Sequence, residues 1–138
     1  MLKLFKILSN FSVVFDLYRE QILDRSQNPR FQGSIENATH FADGENRSCG
    51  DEVHIEVIIT DGSFSKICHT TRACAVCSAT TDLLAEEFEG KPVASLHTFG
   101  VEQVTELLGI PLSPIRLKCA LLPLETLKNL ILSSKNKL

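Results

Sequence analysis

The chain has 138 residues, 43% of them apolar, and a formal charge of −3, which points to one small soluble globular domain. The absence of tryptophan, the few aromatics and the lack of a long basic run exclude a base-stacking or phosphate-tracking surface, so no nucleic-acid partner is expected. Five cysteines, an odd number without disulfide-scaffold spacing, point to a reducing, cytoplasmic setting.

The first stretch, Met1 to Phe15, is apolar with Lys3 and Lys6 near its start. Ser9, Asn10 and Ser12 interrupt it, no small-x-small cleavage site follows, and it is too short and polar to span a bilayer. It therefore reads as an amphipathic helix, not as a secretory signal or a membrane anchor. From Phe11 to Ser26 the apolar Phe11, Val14, Phe15, Tyr18 and Ile22 recur at helical spacing, and Asn28-Pro29 ends the pattern.

Residues 34–48 are polar, with Asn37, Asp43-Gly44 and Asn46, and predict a loop containing a short extended piece. The pattern then changes. Val53, Ile55, Val57 and Ile59 alternate with His54, Glu56 and Thr60, which predicts a half-buried strand, and Asp61-Gly62 supplies a hairpin turn into a second strand over 64–69. Cys49-Gly50-Asp51 lies where a loop enters this sheet.

Cys74 precedes a predicted helix over 78–89, with Leu83, Leu84 and Phe88 on one face and Gly90 as its stop. At a helix N-terminus, free amides and the positive dipole end favour thiolate. A further helix is expected over 101–108, stopped by Gly109. Pro111 and Pro114 predict a stiff loop presenting Cys119 beside Arg116 and Lys118, an electropositive and reachable thiol, and Pro123 predicts the first turn of a last helix bearing Leu124, Leu127 and Ile131. Lys135 and Lys137 read as a solvated tail. The expected fold is α+β: a small antiparallel sheet covered by helices, with a site among loops at one end.

Cys49, Cys74 and Cys119 thus come from three separated segments, each offering a soft donor, and Asp51 adds a carboxylate. Thiolates bind zinc and iron–sulfur clusters alike, so donor type does not choose between them. Three thiolates with one harder, more exchangeable carboxylate suit transient assembly better than a permanent structural ion. Cys68, alone on a strand, reads as a small buried hydrophobe. Cys77, three residues after Cys74, either faces the same site or packs in the helix, and the second is favoured. His54, His69 and His97 read as hydrogen-bonded or solvent-facing residues, not as ligands.

The order Cys49-Gly50-Asp51, then Cys74 at the head of an Ala/Ser/Thr-rich helix, then Arg116-x-Lys118-Cys119 resembles the IscU/NifU/SufU family of iron–sulfur cluster scaffolds. The resemblance runs from about Leu17 to Leu130 and includes the opening helix and the Asn28-Pro29-Arg30 loop. It implies one NifU N-terminal-like (IscU/SufU, SufE/NifU-like) domain over 1–138, with 1–10 and 133–138 peripheral. It also implies that Cys49, Asp51, Cys74 and Cys119 hold a [2Fe–2S] cluster, iron or zinc, with Cys119 the persulfide acceptor. The implied partners are a cysteine desulfurase and apo iron–sulfur proteins, with no membrane.

Leu112-Ser113-Pro114-Ile115-Arg116 resembles the chaperone-recognition segment of the IscU branch, which implies a specialised Hsp70/J-protein pair. Lys118 stands where that branch has histidine, as in SufU-like proteins, yet the chain lacks the usual SufU insertion. Thr71 and Ala73 replace glycines, Arg47 a proline and Cys77 a common serine. Two other readings follow from the same residues: a zinc-dependent, SufU-like persulfide relay, and a zinc-stabilised binding module without sulfur chemistry.

Overall fold

The structure, a computed structural model, describes the backbone over residues 2–136 and side chains over 14–132. Helix α1 (Leu2–Gln27) is followed by strands β1 (His40–Asn46), β2 (Asp51–Thr60) and β3 (Ser63–Arg72). Helix α2 (Ala75–Phe88), a 3₁₀ turn (Val93–Thr98) and helices α3 (Val101–Leu108) and α4 (Pro114–Asn136) complete the chain. The expected α+β class is what is found. The proposed peripheral character of 1–10 and 133–138, the contribution of Phe11 to the helix face and the solvated Lys135 and Lys137 concern side chains outside those described.

The three strands form an antiparallel meander in the order β1-β2-β3. Asp61 and Gly62 both take positive φ (52° and 76°), the conformation that a tight two-residue hairpin requires. Val53, Ile55 and Val57 of β2 and Phe64 and Ile67 of β3 are buried on one face. Leu83, Leu84 and Phe88 of α2 and Leu127 and Leu130 of α4 join them in one core, each large side chain contributing about 1.5–3 kcal/mol by leaving water. Helix α1 packs on α2, and α4 crosses β1.

Two expectations need correcting. The polar stretch before Cys49 contains a seven-residue strand, β1, in place of a loop with a short extended piece. Asp43-Gly44 looked like turn chemistry, but Gly44 is there for proximity: a Cβ on it would lie 2.1 Å from Thr126 Oγ1 of α4. The second correction concerns the C-terminal third. Cys119 is not on a loop, and Pro123 does not start a helix; one helix runs from Pro114 through both. Ser113 starts it, its Oγ accepting from the Arg116 N–H at 3.3 Å and its carbonyl from the Leu117 N–H at 2.8 Å, with Pro114 in the first helical position. Pro123 has no N–H to give the Cys119 carbonyl four residues back, an interruption of about 3 kcal/mol that burial of Leu122, Leu124, Leu127 and Leu130 offsets.

Candidate metal centre

The β1–β2 turn carries Cys49. The Cys49 and Gly50 amides both donate to the Asn46 carbonyl, at 3.2 and 2.8 Å, and Gly50 has φ +73°, a left-handed conformation that closes the turn and leaves Cys49 exposed. Asp51, the first residue of β2, is buried. Its Oδ1 accepts the Cys74 backbone N–H at 2.9 Å, and the Cys74 thiol approaches Oδ2 at 4.0 Å.

Cys74 is the N-cap of α2, extended at φ −63° and ψ 165°, and its Sγ accepts the Cys77 N–H at 3.5 Å. The sulfur therefore occupies the anion-favouring end of a helix, as the sequence predicts. Helix α4 brings Cys119 against the same point, and its thiol approaches Cys49 Sγ at 3.7 Å. One donor atom each from Cys49, Asp51 and Cys119 lies within 4.8 Å of the others. Cys74 stands outside that trio but is tied to Asp51, and it is a hydrogen-bonding neighbour of Cys119.

Four positions separated by as many as 70 residues thus converge where the β1–β2 turn, the start of α2 and the first turns of α4 meet. A tetrahedral ion with metal–sulfur bonds of about 2.3 Å sets its sulfurs about 3.8 Å apart, so Cys49 and Cys119 already have coordination spacing. The donor set fits zinc or iron equally.

The expectation of a reachable, thiolate-favouring Cys119 is not met. Only 1% of Cys119 is exposed. Burial pushes its thiol pKa up, and hydrogen bonding with Asp51, Cys49 and Cys74 pushes it further, because a second negative charge among these groups is unfavourable. Metal binding there must release protons and so strengthens as pH rises. The basic neighbours do not reverse this, because Arg116 and Lys118 share a helix with Cys119 and are not on a loop wrapped around it. Lys118 instead lines a depression of about 320 Å³ with Asn46, Arg47 and Glu125, bordering the cysteines.

Cys77 is fully buried in α2, its pKa pushed up to about 12 by burial and by the charges of Asp51 and Cys74, and is not among the converging donors. Cys68 is half-buried on β3 opposite Glu56, where a core position was expected; it points away from the face that Ile67 and His69 bury. The histidines are hydrogen-bonded or exposed, as expected. His54 lies between Asp43 (2.6 Å) and Glu56 (3.1 Å), His69 bonds Asp82 and Thr71 (both 2.8 Å), and His97 is exposed.

A second polar centre was not anticipated. Asp82 of α2 is fully buried and accepts from Arg25 Nη1 (2.8 Å), His69 Nε2 (2.8 Å) and the amides of Arg30 (3.1 Å) and Phe31 (2.9 Å). Burial alone would raise its pKa; the hydrogen bonds from His69, the Arg30 amide, Arg25 and the Phe31 amide outweigh it and hold the carboxyl well below the usual range. Asn28-Pro29-Arg30 therefore has a structural task, presenting two amides to a buried acid. The sequence offered no sign of Asp82, which lies beside Leu83 and Leu84 and resembles any polar helix residue.

Among known proteins, the family model described as the NifU-like N terminal domain matches residues 17–137. The chain is 27% identical over 128 residues to the iron–sulfur cluster assembly scaffold protein IscU of Thermotoga maritima, covering 81% of this chain and 90% of that one. It is 30% identical over 115 residues to IscU 1 of Archaeoglobus fulgidus, covering 83% and 74%. The crystal structure of a candidate SUF-system scaffold protein from Fervidobacterium islandicum superposes with a TM-score of 0.72 at 28% identity, covering 81% of this chain and 94% of that chain. The N-terminal NifU-like protein of Brucella abortus, 20% identical, shares the fold with a TM-score of 0.72 over 89% and 97% of the two chains. With the ordered cysteine motifs, the converging donors and this extent of similarity, the chain belongs to the NifU-like N-terminal domain family.

Proposed function

We propose that this protein is an iron–sulfur cluster assembly scaffold, working as one domain on Cys49, Asp51, Cys74 and Cys119. The observation that carries the reading is the meeting of the Cys49 and Cys119 thiols at 3.7 Å around buried Asp51, with Cys74 bonded to the same carboxylate. Its relatives in Thermotoga and Archaeoglobus bear the scaffold name.

Sulfur arrives as a persulfide from a cysteine desulfurase. Cys49 is the exposed thiol of the pair and meets it first; attack on the sulfane sulfur leaves the desulfurase thiol and a Cys49 persulfide, and the same exchange passes the sulfur 3.7 Å inward to Cys119, the holding acceptor. Iron joins the sulfur on the three thiolates and Asp51, giving a [2Fe–2S]-type cargo for apo-proteins. Asp51, the hardest of the four donors, is the one that exchanges when the cargo leaves. Ile115 and Arg116, exposed at the start of α4, are available for an Hsp70/J-protein pair.

Lys118 in place of histidine favours a second reading, a zinc-dependent relay that hands persulfide sulfur on without building a cluster. Metal and acid-labile sulfide analysis after anaerobic purification, with the visible spectrum, separates the two. The scaffold gives iron, sulfide and charge-transfer absorption; the relay gives zinc alone with stimulated desulfurase turnover. Zinc with no sulfur uptake leaves only a binding module.

A further inference from the structure

Cys77 is the buried nucleophile that the proposed reaction leaves unused. It is fully buried three residues into α2, directly behind Cys74, the N-cap whose Sγ accepts the Cys77 amide at 3.5 Å. Positions three apart on a helix have Cα atoms about 5 Å apart, inside the roughly 4.4–6.8 Å span a disulfide bridges. Side chains of a helix lean towards its N-terminus, so the Cys77 sulfur is directed towards Cys74 and not along α2. With no solvent exposure, Cys77 reacts with neighbouring thiols and not with external ones.

We propose that Cys77 is the resolving thiol of this site, reducing sulfane sulfur held on Cys74 to sulfide. The inference rests on the sulfur-accepting reading given above. Sulfur on Cys119 passes to its neighbour Cys74, giving a Cys74 persulfide and a free Cys119 thiol. The Cys77 thiolate then attacks the inner, Cys74 sulfur. The persulfide S–S bond breaks, the Cys74–Cys77 bond forms, and the sulfane sulfur leaves as hydrosulfide with the electron pair of the broken bond; the proton of the Cys77 thiol ends on it or in solvent. Two thiol-level sulfurs are oxidised to a disulfide as one sulfane sulfur is reduced. A dithiol reductant of the thioredoxin or dithiothreitol class restores Cys74 and Cys77 for the next turnover. Intramolecular placement gives the attack a large effective concentration.

The metal-free, reduced full-length protein is treated anaerobically with either of two sulfur donors, a small-molecule persulfide or a cysteine desulfurase with cysteine, and excess donor is removed. Released sulfide is measured, and unreduced, alkylated peptides are mapped by mass. Wild type should release about one equivalent of sulfide per chain and carry a Cys74–Cys77 disulfide. Cys77→Ser and Cys77→Ala should retain the added sulfur on Cys74 and lower the sulfide burst by about tenfold or more until a dithiol is added. Equal bursts in wild type and both variants, or no Cys74–Cys77 disulfide with either donor, overturn the proposal. Disulfide and sulfide from the small donor with none from the desulfurase sustain Cys77 and sink the desulfurase reading. Sulfur stably held on wild-type Cys74 from both donors does the reverse.

Discussion

Helix α2 touches two buried polar centres that are built in opposite ways. Around Asp82 each carboxylate oxygen is engaged, by Arg25, His69 and two backbone amides at 2.8–3.1 Å, and the centre is complete as it stands. At the cysteines, only the Cys74 amide makes a normal bond, to Asp51; the thiols meet partners at 3.5–4.0 Å, contacts that a metal or sulfur species would replace with stronger ones. One end of the helix is stapled to the fold and the other waits for a ligand. A buried cluster that satisfies itself is evidence of structure, and one that does not is evidence of function.

The largest effect should come from the staple. Asp82→Ala leaves the buried Arg25 without its buried partner and should cost about 3–5 kcal/mol in chemical denaturation. A loss under about 1 kcal/mol would mean that the cluster is not structural. Its pH dependence has a definite sign. Because the folded carboxyl is held below its ordinary 3.8, Asp82 contributes fully above that value, and the contribution drains away as pH falls towards the folded one. Asp82→Asn should therefore lose stability less steeply than wild type below about pH 4.

Next in size are Cys49→Ala, Cys74→Ala and Cys119→Ala, each expected to weaken metal binding by at least about a hundredfold with far smaller effects on the metal-free fold. Competition with a chromophoric chelator reads this. Retained stoichiometry after loss of any two would show that the donors do not form one site.

Gly44→Ala links the two behaviours. Its Cβ would press on Thr126 of α4, so α4 must shift against β1, at a cost of about 1–3 kcal/mol and with a measurable fall in metal affinity as Cys119 moves from Cys49. Destabilisation with unchanged affinity would show that the site tolerates movement of α4. The smallest effect belongs to Cys68→Ala on the outer face of the sheet, expected within about 0.5 kcal/mol and with metal binding unchanged.

What could be read from sequence follows from how local each feature is. The β2–β3 hairpin, the position of Cys74 at the head of α2 and the Val101–Leu108 helix are written in alternation, capping and glycine stops within a few residues of each other. The meeting of Cys49, Asp51, Cys74 and Cys119 was visible only through the family resemblance. Strand β1 was hidden because Gly44 answers to Thr126, 82 positions away, and not to its neighbours. Pro123 looked like a helix start because local chemistry disfavours it inside one; long-range burial of leucines on either side keeps the helix going. Cys119 appeared accessible because its basic neighbours are adjacent in sequence, whereas its exposure is decided by Cys49, Asp51 and Cys74. Asp82 was invisible for the same reason, since all four of its donors come from other elements.

The most direct measurement is anaerobic reconstitution with ferrous iron, cysteine and a cysteine desulfurase, followed by iron and acid-labile sulfide analysis and visible absorption on the desalted protein, with Cys119→Ala in parallel. Iron and sulfide in equal amounts, with sulfur-to-iron charge-transfer absorption in wild type and none in Cys119→Ala, are what a scaffold on these four residues predicts. The same low iron and sulfide content in both proteins would contradict it.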